Sequence, residues 1–164
     1  MKMVFICTGN AARSPLAEAI TKALCQKYEI TDAEVLSRGT LSWGSNPRDE
    51  VMSQVAAQMG YELSGVTTSI SSEELNDADA IVVFAKVHRV AITRELKYAH
   101  WNRIVLFNEL AFGTTDDVAD PNYQSNKVYE TVAKHIEDGC KNIVSNWKSL
   151  PERISNCRYF YYEN

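Results

Sequence analysis

The sequence predicts an α/β protein in which a four-stranded parallel sheet lies between two layers of helices. Three observations carry that reading. Four short apolar runs alternate with amphipathic stretches in the order βαβαβαβα, which implies parallel strands joined by right-handed crossovers. The third run, AIVVF at 80–84, is apolar throughout, as in a strand covered on both faces. Finally, 164 residues suit one compact domain, here read as 1–164, whose core needs no disulfide or metal.

The elements follow in order. Residues 4–6 read as a buried strand. Residues 15–27 read as a helix with Ser14 at its N-cap and Pro15 in its first turn. Residues 34–37 form the second strand, and RGTLSWGSNP at 38–47 is a loop by its Gly, Ser and Pro content. Residues 48–59 are helical and closed by Gly60, and Ser71 or Ser72 caps a short helix through EELN. After the strand at 80–84 come a helix at 87–98, a strand at 104–107 and a polar loop at 113–123. A long amphipathic helix spans 126–148, with Gly139 as a weak point. Residues 149–164 form an aromatic-rich tail expected to pack on the domain or form a contact.

Composition narrows the function classes. The net charge of −4 lacks the basic balance of a nucleic-acid binder. The N-terminal apolar run is too short for a signal peptide or a membrane span, so a cytoplasmic monomer without membrane or nucleic-acid partners is expected. Cysteines stand at 7, 25, 140 and 157, with neither CxxC nor zinc-ligand spacing. Cys25 and Cys140 are read as packing thiols and Cys157 as inert. His88, His100 and His135 fall in no motif and are read as surface or packing residues.

Cys7 differs because of its neighbours. CTGNAARS sits between the first strand and the first helix, where α/β proteins bind phosphate, yet it lacks the glycines and lysine of a nucleotide P-loop. A loop curling there presents the N–H groups of Thr8, Gly9, Asn10, Ala11, Ala12 and Ser14 inward as a nest for phosphoryl oxygens. Gly9 is expected to supply the backbone freedom for the curl. Arg13 can hold two oxygens in a bidentate fork. The Cys7 thiol lies beneath the phosphorus, where the helix dipole, the nest and Arg13 favour negative charge, and Ser14 can donate its hydroxyl to the sulfur. Displacing an alkoxide or phenoxide also needs a proton donor. Asp120, held extended by Pro121, is the candidate, with Asp116 and Asp117 as rivals. Such chemistry needs no metal or cofactor, because Arg13 and the nest stabilise the transition-state charge.

These residues carry a family resemblance. CTGNAARSPLAEA resembles the CxGNxxRSPxAE loop of the low-molecular-weight protein tyrosine phosphatases, and SRGT, NPRDEV, DADAIVVF and DPNYQSNKVYETVAKHIEDG resemble further segments in the family's order. The resemblance covers almost the whole chain. It implies that family's fold and hydrolysis of phosphotyrosine-type monoesters in protein substrates through phosphocysteine. Cys7 is then the nucleophile, Arg13 the phosphate clamp and Asp120 the general acid, while Asn10, Ser14 and Ser37 hold the loop and steady the thiolate.

There are departures. The second cysteine many members carry is Ala12 here, a supporting histidine is Gly65, a nearby Arg or Lys is Thr68, and the aspartate after the third strand is Ala85. The aromatic that often follows Asp-Pro is Asn122, leaving Tyr123 and Trp43 to line the pocket rim and stack a phenyl ring. Two relatives on the same scaffold are alternatives. A protein-arginine phosphatase often has threonine where Ala11 stands. A thioredoxin-coupled arsenate reductase needs two further cysteines near the third strand, and residues 78–100 contain none.

Overall fold

The computed structural model describes residues 1–41 and 43–157. Strands β1 (Lys2–Cys7), β2 (Glu34–Gly39), β3 (Ala80–Val83) and β4 (Ile104–Leu106) form one parallel sheet in the order β2-β1-β3-β4. The chain leaves β1 in one direction for β2 and later crosses to β3 on its other side. The carboxyl end of β1 is therefore the topological switch point, where ligands bind in such sheets. Cys7 is its last residue.

Helices cover both faces. Met3 and Phe5 of β1, with Val82 and Val105, face α1 (Arg13–Lys27), α2 (Glu50–Gln58) and α6 (Asn126–Ser145). Val4 and Ile6, with Ile81, Val83, Ile104 and Leu106, face the smaller layer of α3 (Ser72–Asp77) and α4 (Lys86–Thr93). The two-residue alternation along β1 thus feeds both cores, and all four residues of β3 are buried.

Several boundaries differ from the sequence expectation. The fourth strand ends at Leu106, and Phe107–Phe112 turns into a short helix, α5. The helix expected over 87–98 stops at Thr93, and the chain continues through a 3-10 segment, Tyr98–Arg103. The long helix ends at Ser145. A 3-10 turn and α7 (Leu150–Asn156) follow, with Leu150 and Ile154 buried in the larger core. The start of the tail is therefore a packed helix, while 158–164 lie outside the described residues. Gly139 is a packing requirement rather than a weak point: a Cβ there would lie 2.4 Å from two ring atoms of Phe107. Its absence lets α6 approach the Phe5–Phe84–Phe107 aromatic cluster, in which Phe84 and Phe107 stack at 5.0 Å.

Candidate active site

The β1–α1 loop turns its carbonyls outward. Cys7 O and Thr8 O accept the N–H groups of Thr40 and Leu41, both at 3.0 Å. Gly9 O accepts from Trp43 Nε1 at 3.1 Å, and Asn10 O from Arg48 Nη1 at 2.6 Å. Ala11 O accepts from Asp49 N at 2.9 Å and Ala12 O from Leu16 N at 3.2 Å. The N–H groups of Gly9 to Ala12 make no hydrogen bond among the described residues. Six consecutive carbonyls paired outward leave a concave row of donors over Cys7, the geometry of an anion nest.

The curl depends on Asn10 more than on Gly9. Asn10 adopts φ +53, a left-handed conformation that asparagine tolerates better than most residues. Gly9 is not among the residues with positive φ. Its lack of a side chain instead makes room for Trp43, whose ring a Cβ would meet at 3.1 Å. Asn10 is fully buried and its amide is saturated. Nδ2 donates to Ser14 Oγ at 3.0 Å and to Ser37 Oγ at 2.9 Å. Oδ1 accepts from Arg48 Nη1 at 2.7 Å and Thr68 N at 2.9 Å.

These bonds have a direction. Ser37 Oγ donates to Glu18 Oε2 at 2.5 Å, so it must accept from Asn10. Ser14 Oγ also accepts from Asn10, which frees its own proton for Cys7 Sγ at 3.0 Å; Arg38 O lies further off at 3.4 Å. Arg48 Nη1 and Thr68 N, both donors to Asn10 Oδ1, fix the orientation of this amide, so its NH2 faces Ser14 and leaves the Ser14 proton for sulfur. Ser14 is not the N-cap expected from the sequence. The helix begins at Arg13, and Ser14 lies buried inside it with its hydroxyl turned to Cys7.

Arg13 is buried and parked on the acid loop. Nη2 donates to Asp120 Oδ2 at 2.9 Å and Nη1 to Val118 O at 3.0 Å. Asp120 is half-exposed, and its Oδ1 accepts Asn122 N at 3.0 Å. The loop is held in place by Val118 N donating to Phe84 O at 2.8 Å and Asn108 Nδ2 donating to Asp116 O at 2.9 Å. Asp117, a rival acid by sequence, accepts Lys86 N at 2.9 Å at the start of α4. It fills the place that Ala85, with no polar side chain, leaves open.

Cys7, Arg13, Asp120 and the supporting Asn10, Ser14 and Ser37 are therefore brought together. The proposed rim is less uniform. Trp43 lies over the loop, while Tyr123 is 97% exposed and points into solvent. Three residues were not singled out for the site from sequence, Glu18, Arg48 and His88, and Asp117 was weighed only as a rival acid. Glu18 and Arg48 stood within matched motifs without a role. His88 is not a surface residue; it is 2% exposed and contacts the loop through Thr8. Cys25, Cys140 and Cys157 are buried free thiols. Burial pushes Cys140 up to about 12 and Cys157 up to about 11, so they are poor nucleophiles. Among the described residues no cluster of three or more His, Cys, Asp or Glu could hold a metal, and no helix is long and apolar enough to cross a membrane.

A thiol beneath a donor nest, flanked by arginine and a carboxylate at the switch point of a parallel sheet, defines a cysteine-dependent enzyme acting on phosphate. The chain belongs to the low molecular weight phosphotyrosine protein phosphatase family, whose pattern it matches over residues 2–155. It is 31% identical to the low molecular weight protein-tyrosine-phosphatase PtpA of Staphylococcus aureus strain MRSA252, over 87% of this chain and 90% of that one. It is 23% identical to a protein-arginine-phosphatase of Bacillus subtilis strain 168, over 90% of this chain and 97% of the relative. The structure superposes on a low molecular weight phosphotyrosine phosphatase from Vibrio cholerae O395 with a TM-score of 0.84 at 25% identity, covering 90% and 97% of the two chains.

Proposed function

We propose that the chain hydrolyses phosphotyrosine and related aryl phosphate monoesters in protein substrates, through a phosphocysteine on Cys7. The observation that carries this is the outward pairing of six loop carbonyls above a sulfur that receives a hydroxyl proton. The Cys7 thiolate attacks phosphorus and the P–O ester bond breaks. The equatorial oxygens lie in the nest, and Arg13 leaves Asp120 to clamp them. Asp120, so released and half-exposed, takes up a proton from solvent and gives it to the departing oxygen. As a carboxylate it then takes a proton from water, which attacks phosphorus. The S–P bond breaks, releasing phosphate and restoring the thiolate under Ser14. The same reading has the enzyme act as a monomer in the cytoplasm; four free thiols fit a reducing compartment.

Steady-state hydrolysis of an aryl phosphate, a phosphotyrosine peptide and a phosphoarginine peptide, run beside thioredoxin-coupled reduction of arsenate, tests the assignment. Cys7→Ser should abolish turnover while retaining the fold and phosphate binding. Turnover by Cys7→Ser equal to wild type would remove the mechanism, and faster cleavage of the phosphoarginine peptide would move the substrate class to that of the Bacillus relative.

A further inference from the structure

We propose that His88 is a positioning residue for the nucleophile loop: its Nε2–H holds the Thr8 hydroxyl so that the Thr8 proton is offered to a phosphoryl group bound over Cys7. The inference rests on Cys7 being the phosphate site. The ring is buried at the start of α4. Its Nδ1 lies 3.1 Å from Ala85 N. A backbone amide can only donate, so Nδ1 carries the lone pair and the neutral ring must bear its proton on Nε2. That nitrogen is 2.9 Å from Thr8 Oγ1. The threonine oxygen is therefore the acceptor in this bond, and its own proton makes no other hydrogen bond among the described residues.

Thr8 follows Cys7 directly, half-buried, at the head of the row of unpartnered N–H groups. Its hydroxyl extends that row by one donor. The ring is kept neutral by its surroundings: burial first, then the Arg13 guanidinium, push it down to about 4. Asp117 and Asp120 face it with the opposite effect and do not prevail. Neutrality matters because a cationic ring would lose its bond from Ala85 N.

The arrangement also accounts for Ala85. Without a side-chain cap, the first turn of α4 takes its acceptors from His88 Nδ1 and Asp117 Oδ1. Each also ties α4 to a working part of the site, His88 to the nucleophile loop and Asp117 to the acid loop.

The test uses His88→Gln and His88→Asn, each in wild-type and Thr8→Val backgrounds. Glutamine can place an amide N–H near the position of Nε2, whereas asparagine can supply an acceptor only near that of Nδ1. Inorganic phosphate affinity and aryl phosphate kcat and KM are measured, and long-range 1H–15N spectra report the imidazole tautomer. His88→Asn should weaken phosphate binding and kcat/KM by about tenfold, the worth of one well-placed hydrogen bond. His88→Gln should stay within about threefold of wild type by the same measure. In Thr8→Val the two should be equal, and the wild-type spectrum should show the Nε2-protonated form. A loss in His88→Asn that persists in Thr8→Val, equal losses in the two variants, or an Nδ1-protonated ring would overturn the proposal. Phosphate binding decides this independently of turnover, so failure here is distinct from failure of the phosphocysteine mechanism.

Discussion

Ser14→Ala isolates what the directed hydrogen-bond chain does for chemistry. The substitution removes a hydroxyl 3.0 Å from Cys7 Sγ and leaves the nest and Arg13 in place. Sulfur is anionic before attack and again as it departs, and uncharged while bonded to phosphorus. The hydroxyl therefore helps most when the S–P bond breaks. A hydrogen bond to a charged group is worth about 1.5–3 kcal/mol net, which is roughly ten- to a hundredfold in rate. Phosphoenzyme hydrolysis should slow by that factor, so rapid-quench experiments with an activated aryl phosphate should show a larger burst and a slower steady state. Ser37→Ala is the control. It too strips an acceptor from a buried Asn10 hydrogen, costing about 1–3 kcal/mol of stability, but leaves Ser14 on sulfur. A Ser14→Ala enzyme whose burst and steady state match those of Ser37→Ala would refute the idea that Ser14 acts on the leaving thiolate.

Asp120→Asn should lower phosphotyrosine-peptide hydrolysis by about 10²–10⁴-fold, and lower phosphorylation by a low-pKa phenyl phosphate much less in single-turnover assays. Asp117→Asn, which keeps an acceptor for Lys86 N, should be nearly silent, whereas Asp117→Ala should reduce activity in the same leaving-group-dependent sense as Asp120→Asn. Gly139→Ala should destabilise by about 1–3 kcal/mol through overpacking on Phe107, read as a lower denaturation midpoint at unchanged m. Peroxide should drive Cys7 to sulfinic acid, because Ala12 offers no resolving thiol; full recovery through an intramolecular disulfide, seen by intact mass after reductant, would contradict this. His88 binds a proton more weakly folded, at about 4, than at its ordinary 6.5. Its contribution is therefore present above 6.5 and lost as pH falls toward 4, by up to about 3 kcal/mol, and His88→Gln should flatten that acid limb in urea titrations across this range.

The parts of this molecule legible in its sequence are those written locally. The strand runs, the strand-to-helix position of CTGNAARS and the Asp-Pro pair are each contained in a few consecutive residues, and the structure assembles them at the end of β1. What could not be read depends on distance between segments. Ser14 looks like a helix cap because a serine before proline usually is one; only the approach of Cys7 and Asn10 turns its hydroxyl elsewhere. Gly139 looks like a helix defect until Phe107, 32 residues earlier in the sequence, is laid against it. The left-handed turn expected of Gly9 falls to Asn10 for the same reason, while Asn10 also holds the loop as expected. The tight residue is dictated by Trp43, and the left-handed one is an asparagine whose side chain is saturated by four partners from four separate segments.

His88 shows the limit most clearly. Nothing within α4 marks it, and an isolated histidine in a helix is ordinarily a packing residue. Its significance comes from the alanine three positions before it. A helix start without a polar cap must draw acceptors from elsewhere, and the two that serve, an imidazole and an aspartate from the acid loop, bind α4 to both halves of the site. With no capping side chain at Ala85, α4 is thus tied both to the Cys7–Thr8 loop and to the loop that carries Asp120. In this chain, disturbing the helix start should be felt at Thr8 and Asp120 together, and a double substitution of His88 and Asp117 should cost more in turnover than the product of the single losses.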